Sequence, residues 1–122
     1  MTLSPLAPSS FPNLPKIEGI NLATAASGTR YQGRDDLLLI ALAPDSSVAG
    51  VFTKSDTAAA PVRWSQTVAK TGKATAIITN AGNANAFTGR QGYKAVQDIA
   101  TDLAATLNCE ANTIMIASTG VI

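Results

Sequence analysis

Histidine is absent from the 122 residues, cysteine occurs once, and Asp, Glu, Lys and Arg together make up only 14% of the chain. Without histidine the chain lacks the commonest general base and the commonest zinc ligand. A Ser-His-Asp or Cys-His site confined to this chain is therefore excluded. The single cysteine, Cys109, cannot form an intrachain disulfide and suits a reducing compartment. It follows an apolar periodic segment and reads as a small buried or half-buried hydrophobe. No metal ligand set and no cofactor fingerprint is assigned.

Charge is scarce against the roughly 25% of an average soluble domain. Either much of the surface is neutral, or another chain covers part of it. The second reading is favoured, because large apolar areas on soluble proteins usually mark contact sites. Nine basic and eight acidic side chains give a net charge of +1, with no long run of one sign. Nucleic-acid and anionic-membrane binding need clustered Lys and Arg, so neither partner is expected. Lys16 is the first charged residue, so no basic leader region is visible. The longest apolar run, Leu37 to Pro44, is far short of the ~20 residues that span a bilayer. The protein is expected to be soluble and cytoplasmic, without a membrane partner.

Residues 1–16 hold Pro5, Pro8, Pro12 and Pro15 and read as an extended arm lying across the fold. Ile20 to Ser27 reads as a strand, and Gly28 to Arg34 as a loop or hairpin. Asp36 to Ala43 is a short apolar run whose length favours a buried strand. Val48 to Lys54 reads as a third strand, with β-branched Val51 and Thr53, completing an antiparallel meander. Pro61 to Lys70 reads as a helix with Pro61 in its first turn and Trp64 and Val68 on one face. Ala74 to Asn80 reads as a strand, and Asn80 to Ala86 as a loop.

Thr88 and Gln91 match a capping box opening a helix that runs to Leu107. Val96, Ile99, Ala100, Leu103 and Leu107 form its apolar face. Thr113 to Ala117 reads as a last strand. The expected order is β-β-β-α-β-α-β, an α/β (α+β) chain without internal repeats. The apolar end at Val121-Ile122 reads as a sequence cut short.

Three segments offer chemistry. Asn80, Asn83 and Asn85 surround Gly82 just before a helix N-terminus, where free N–H groups suit carboxylates and phosphates. Such a loop either shapes a substrate pocket or is a tight turn satisfied by its own side chains. It is neither a GxGxxG fingerprint nor a Walker loop. Ser118-Thr119-Gly120 follows a strand. A hydroxyl beside a glycine N–H suits a developing oxyanion, although the same triplet also makes ordinary turns. Lys54 is either an acid-binding group or, as favoured, a solvated lysine at a strand end.

Taken together, three stretches resemble one family. Ala49-Gly50-Val51-Phe52-Thr53 with Ala59-Ala60-Pro61-Val62 resembles its "AGVFT…AAPV" stretch. Asn80-Ala81-Gly82-Asn83-Ala84-Asn85-Ala86-Phe87-Thr88-Gly89 resembles its "NSGNANAxTG" loop, with Ala81 where the family often has Ser. Ala117-Ser118-Thr119-Gly120-Val121-Ile122 resembles "ASTGVIG" without the last Gly. The family is the bifunctional glutamate N-acetyltransferase/ornithine acetyltransferase of arginine biosynthesis, and the likeness runs from about Ile17 to Ile122.

The resemblance implies the α/β sandwich shared by self-processing ornithine acetyltransferases and aminopeptidases. It implies a precursor that cuts itself into α and β chains, with the new N-terminal threonine of the β chain as nucleophile. Acetyl passes from N-acetylornithine to that threonine and then to glutamate, with acetyl-CoA a co-substrate in some members. Thr119 and Gly120 map to the oxyanion hole, while Asn80, Asn83 and Asn85 are candidates for substrate binding. Residues 17–122 would be the N-terminal part of a truncated α chain. Its partners would be a β chain, in a heterotetramer of two α and two β chains, and the small-molecule substrates. The alternatives are a self-processing aminopeptidase or hydrolase of the same fold, and a non-catalytic subunit fragment.

Overall fold

The computed structural model of the chain describes residues 4–122. Six main elements follow in the order β1 (Ile20–Ala25), β2 (Leu37–Leu42), α1 (Ala60–Ala69), β3 (Ala76–Asn83), α2 (Gly89–Leu107) and β4 (Ile114–Val121). The strands form one sheet in the order β1-β2-β3-β4. β1 and β2 pair antiparallel, as do β2 and β3, whereas β3 and β4 are parallel. A parallel pair needs a long crossover, and α2 supplies it.

Alternation along the strands sends successive side chains to opposite faces. One face carries Ala76, Ile78, Ile114 and Ile116 and packs on Val96, Ala100 and Ala104 of α2. Among the described residues only Ile114 and Val96 are both large and almost fully enclosed, so the core is thin. The other face carries Leu38, Ile40, Ile77 and Met115, all half-buried, and Leu22 at 68% exposure.

α2 starts at Gly89 and ends where Asn108 turns left-handed, with its N–H bonded to Ala104 O. The expected apolar face needs one change: Ile99 is 42% exposed and Ala104 is buried instead. Thr88 precedes the helix but does not cap it. Its hydroxyl bonds the Asn85 side-chain oxygen, so the expected capping box is not formed.

The third strand of the expected meander is absent. Val48 to Lys54 makes no ladder; an isolated bridge joins Ser47 to Lys73, and Val51 is fully exposed. β-branching favours a strand only where a neighbour and a packed face exist. The observed order is therefore β-β-α-β-α-β. In the proline-rich arm, residues 4–16 form neither helix nor strand, and Leu6, Phe11 and Leu14 lie open to solvent. Residues 1–3 of that arm lie outside the described residues.

Candidate functional site

The Asn-rich segment and the Ser-Thr-Gly triplet are far apart in sequence and side by side in the fold. Both were expected as loops or turns, yet Asn80 to Asn83 closes β3 and Ser118 to Val121 closes β4. They pair in register: Asn80 with Ser118, Ala81 with Thr119, Gly82 with Gly120 and Asn83 with Val121. Pairing with a partner strand overrides the turn preference of Asn and Gly, which is why the local reading stopped three or four residues short.

The backbone groups of β4 alternate between its two edges. Thr113 O and Val121 O point to β3, accepting from Thr75 N at 2.9 Å and Ala84 N at 2.8 Å. Ile114 O and both backbone groups of Ile116 point the other way, to α1. Trp64 Nε1 donates to Ile114 O at 2.8 Å. Ser65 Oγ donates to Ile116 O at 2.7 Å and accepts from Ile116 N at 2.8 Å. Continued along the strand, this alternation turns the Gly120 N–H to the outer edge, beyond the reach of β3. Thr119 is exposed, lies on the face away from α2, and its hydroxyl bonds no other described residue.

Gly120 has φ +134, and a Cβ there would collide with the Gly82 carbonyl. Gly82 is itself at φ +117, buried, with Arg30 Cβ and a Tyr31 ring carbon 3.1 Å from where its Cβ would be. Two paired glycines thus let β3 and β4 close up at the strand ends, with the β1–β2 loop pressed against them. Arg34 stacks over the Tyr31 ring at 3.9 Å.

Asp36 anchors that loop and is 4% exposed. Its carboxylate accepts from Ser27 N at 2.5 Å and from Ser27 Oγ at 2.9 Å. The Ser27 N–H holds the carboxyl below its ordinary value. Burial opposes this, while the Ser27 hydroxyl and the Arg34 charge reinforce it.

The asparagines differ in what they do. Asn80 Nδ2 donates to Asn83 O at 2.9 Å. Asn85 Nδ2 donates to Gly92 O at 2.9 Å, and Asn85 Oδ1 takes the Thr88 hydroxyl. The Asn83 side chain is exposed and bonds no other described residue. Lys54 is exposed, but at no strand end.

Local reading named Ser118 and Gly82 only as members of their motifs and missed Gly92 and Asp36, because the roles of all four depend on a register that composition does not reveal. A Cβ on Gly92 would overlap Thr88 Oγ1 and Asn85 Oδ1, so only glycine lets the segment tuck against α2.

A hollow of about 580 Å³ lies between the start of α1 and the first turns of α2 and touches neither Thr119 nor Gly120. A smaller one of about 210 Å³ is lined by Thr24, Asp35, Asp36, Thr79 and Ala81, and Ala81 is the register neighbour of Thr119. Among the described residues there is no cluster of three or more potential metal-ligating His, Cys, Asp or Glu side chains. Among them, too, no helix is long and apolar enough to cross a membrane.

The mixed four-stranded sheet with two helices matches solved ornithine acetyltransferase structures. The structure of ornithine acetyltransferase complexed with ornithine from Mycobacterium tuberculosis matches with a TM-score of 0.82 at 39% identity, over 86% of this chain and 57% of that one. The arginine biosynthesis bifunctional protein of Bacillus halodurans matches with a TM-score of 0.79 at 32% identity, over 86% and 55%. The chain belongs to the ArgJ family, whose model matches residues 21–122. The arginine biosynthesis bifunctional protein ArgJ of Bradyrhizobium diazoefficiens is 47% identical over 121 residues, covering 99% of this chain and 29% of that protein. Its counterpart in Agrobacterium fabrum is 46% identical over 122 residues, covering 100% and 30%. The chain thus spans about 30% of the length of the curated relatives it matches.

Proposed function

We propose that this chain supplies the oxyanion-stabilising half of an acetyltransferase that moves acetyl from N-acetylornithine to glutamate. The supporting observation is the strand end itself: a free Thr119 hydroxyl beside a Gly120 N–H turned away from β3. Membership of the ArgJ family supplies the reaction class.

The nucleophile is a threonine hydroxyl at the N-terminus of a β chain cut from the same precursor. The terminal amine accepts its proton as the oxygen attacks the acetyl carbonyl. The carbonyl oxygen becomes an oxyanion, and Thr119 Oγ1–H and Gly120 N–H donate to it. Collapse breaks the acetyl C–N bond, and ornithine leaves with the proton. The resulting threonine acetyl ester is then attacked by the amine of glutamate through a second oxyanion in the same place; its collapse breaks the ester C–O bond, and the threonine oxygen leaves with the proton that the terminal amine takes from the attacking nitrogen. No cofactor is needed; acetyl-CoA is an alternative acetyl donor that enters at the ester-forming step.

Asn83, whose side chain is free, is the asparagine that meets substrate, while Asn80 and Asn85 shape the wall. The mature assembly pairs two such α chains with two β chains. Thr119→Ala in the complete enzyme lowers the rate of acetyl transfer by about 10²- to 10³-fold, the usual loss for one oxyanion donor. The melting temperature stays near wild type. Wild-type turnover in that variant rules out the assignment.

A further inference from the structure

Strand ends fray unless something ties them down, and an oxyanion donor displaced by even ~1 Å loses much of its effect. Thr119 and Gly120 lie just before the last ladder pair of β4, Val121 with Asn83, where the chain leaves β3. The two donors therefore need a cross-link.

We propose that Ser118 is the positioning residue of the Thr119–Gly120 pair, acting through a clasp that joins β4 to the end of β3 and to α2. This inference rests on the oxyanion role proposed above. Ser118 Oγ accepts from Asn85 N at 3.0 Å and donates to Asn83 O at 3.0 Å, so donor and acceptor capacity are both used. Asn83 O also takes the Asn80 amide at 2.9 Å. The Asn85 amide runs on to Gly92 O in the first turns of α2, a helix fixed to the core by Val96 and Ala100. Ala84 N adds a backbone bond to Val121 O, on the far side of Gly120.

Ser118 shares a face with Ile114 and Ile116, toward α2, while Thr119 faces the other way. Its hydroxyl is therefore turned from the reacting acyl group and acts on Thr119 and Gly120 through the backbone. The clasp also makes Asn85 a structural residue, because its amide orders the run into α2.

The test is steady-state kinetics of acetyl transfer on the complete, processed enzyme. Ser118→Ala lowers kcat by about 10- to 100-fold with KM within about twofold, as expected for misaligned donors. Ser118→Thr, which keeps the hydroxyl, restores most of the rate. Asn85→Ala gives a smaller loss in the same direction, and it carries the test if Ser118→Ala does not fold. In a Thr119→Ala background the Ser118→Ala effect shrinks markedly, because one of the donors it positions is gone.

Wild-type kcat in Ser118→Ala, or an effect fully additive with Thr119→Ala, overturns the positioning role. An unaltered kcat in Asn85→Ala does the same where Ser118→Ala cannot be purified. Impaired Thr119→Ala beside an unaffected Ser118→Ala defeats the clasp alone. Unaffected Thr119→Ala defeats the oxyanion reading beneath it.

Discussion

Gly120 and Gly82 face each other across two strands at backbone angles that side chains rarely adopt. Their closeness leaves the strand ends without side-chain bulk at the point where the proposed reaction brings in an acyl group. Asp36 works one step further out, holding the loop that presses Arg30 and Tyr31 against Gly82. Because its folded pKa lies below the unfolded value of about 3.9, the unfolded chain binds more protons between the two. Its contribution to stability is complete above the unfolded value and is lost as pH falls through the folded one. Asp36→Asn is therefore less stable than wild type at neutral pH, with the gap narrowing below about pH 4. Denaturant midpoints across that range check this; a gap independent of pH contradicts it.

At the scale of elements, α1 seals the outer edge of β4. Trp64 and Ser65 satisfy Ile114 O and both groups of Ile116, which an open edge would leave for another strand. Ser65 is 6% exposed, so Ser65→Ala strands two backbone groups and costs about 1–3 kcal/mol. Chemical denaturation of the complete protein measures it, and a loss within error of zero contradicts the edge-sealing role.

The elements with a strong local signature were legible: β1, β2 and α1 fall within two residues of their expected bounds, and α2 runs from the Thr88 signal to Asn108. Strand β3 was placed by its apolar core but not by its end. What failed depended on partners. Val48 to Lys54 has the composition of a strand but no neighbour to pair with along its length. The ends of β3 and β4 look like turns and are strands because each completes the other. For the same reason the candidate residues were nameable while their juxtaposition was not. Thr119 and Gly120 carry a motif, whereas the role of Ser118 exists only once Asn83 and Asn85 lie beside it.

At the scale of the molecule, one face of the sheet packs on α2 and the opposite face leaves Leu22, Leu38, Ile40, Ile77 and Met115 half-covered or bare. Thr119 opens onto that same face, so whatever layers over the sheet in the whole protein also closes the proposed reaction site. The scarcity of charge in the sequence agrees with a surface meant for a partner. The chain covers about 30% of its curated relatives, and the proposed threonine nucleophile belongs to the remainder.

The most direct test is a crystal structure of the complete enzyme with a tetrahedral boronate analogue of the acetyl group held on the nucleophilic threonine. The account predicts Thr119 Oγ1 and Gly120 N both about 2.7–3.1 Å from the analogue's oxyanion. An oxyanion held by other donors, with Thr119 and Gly120 beyond hydrogen-bonding reach, would contradict it.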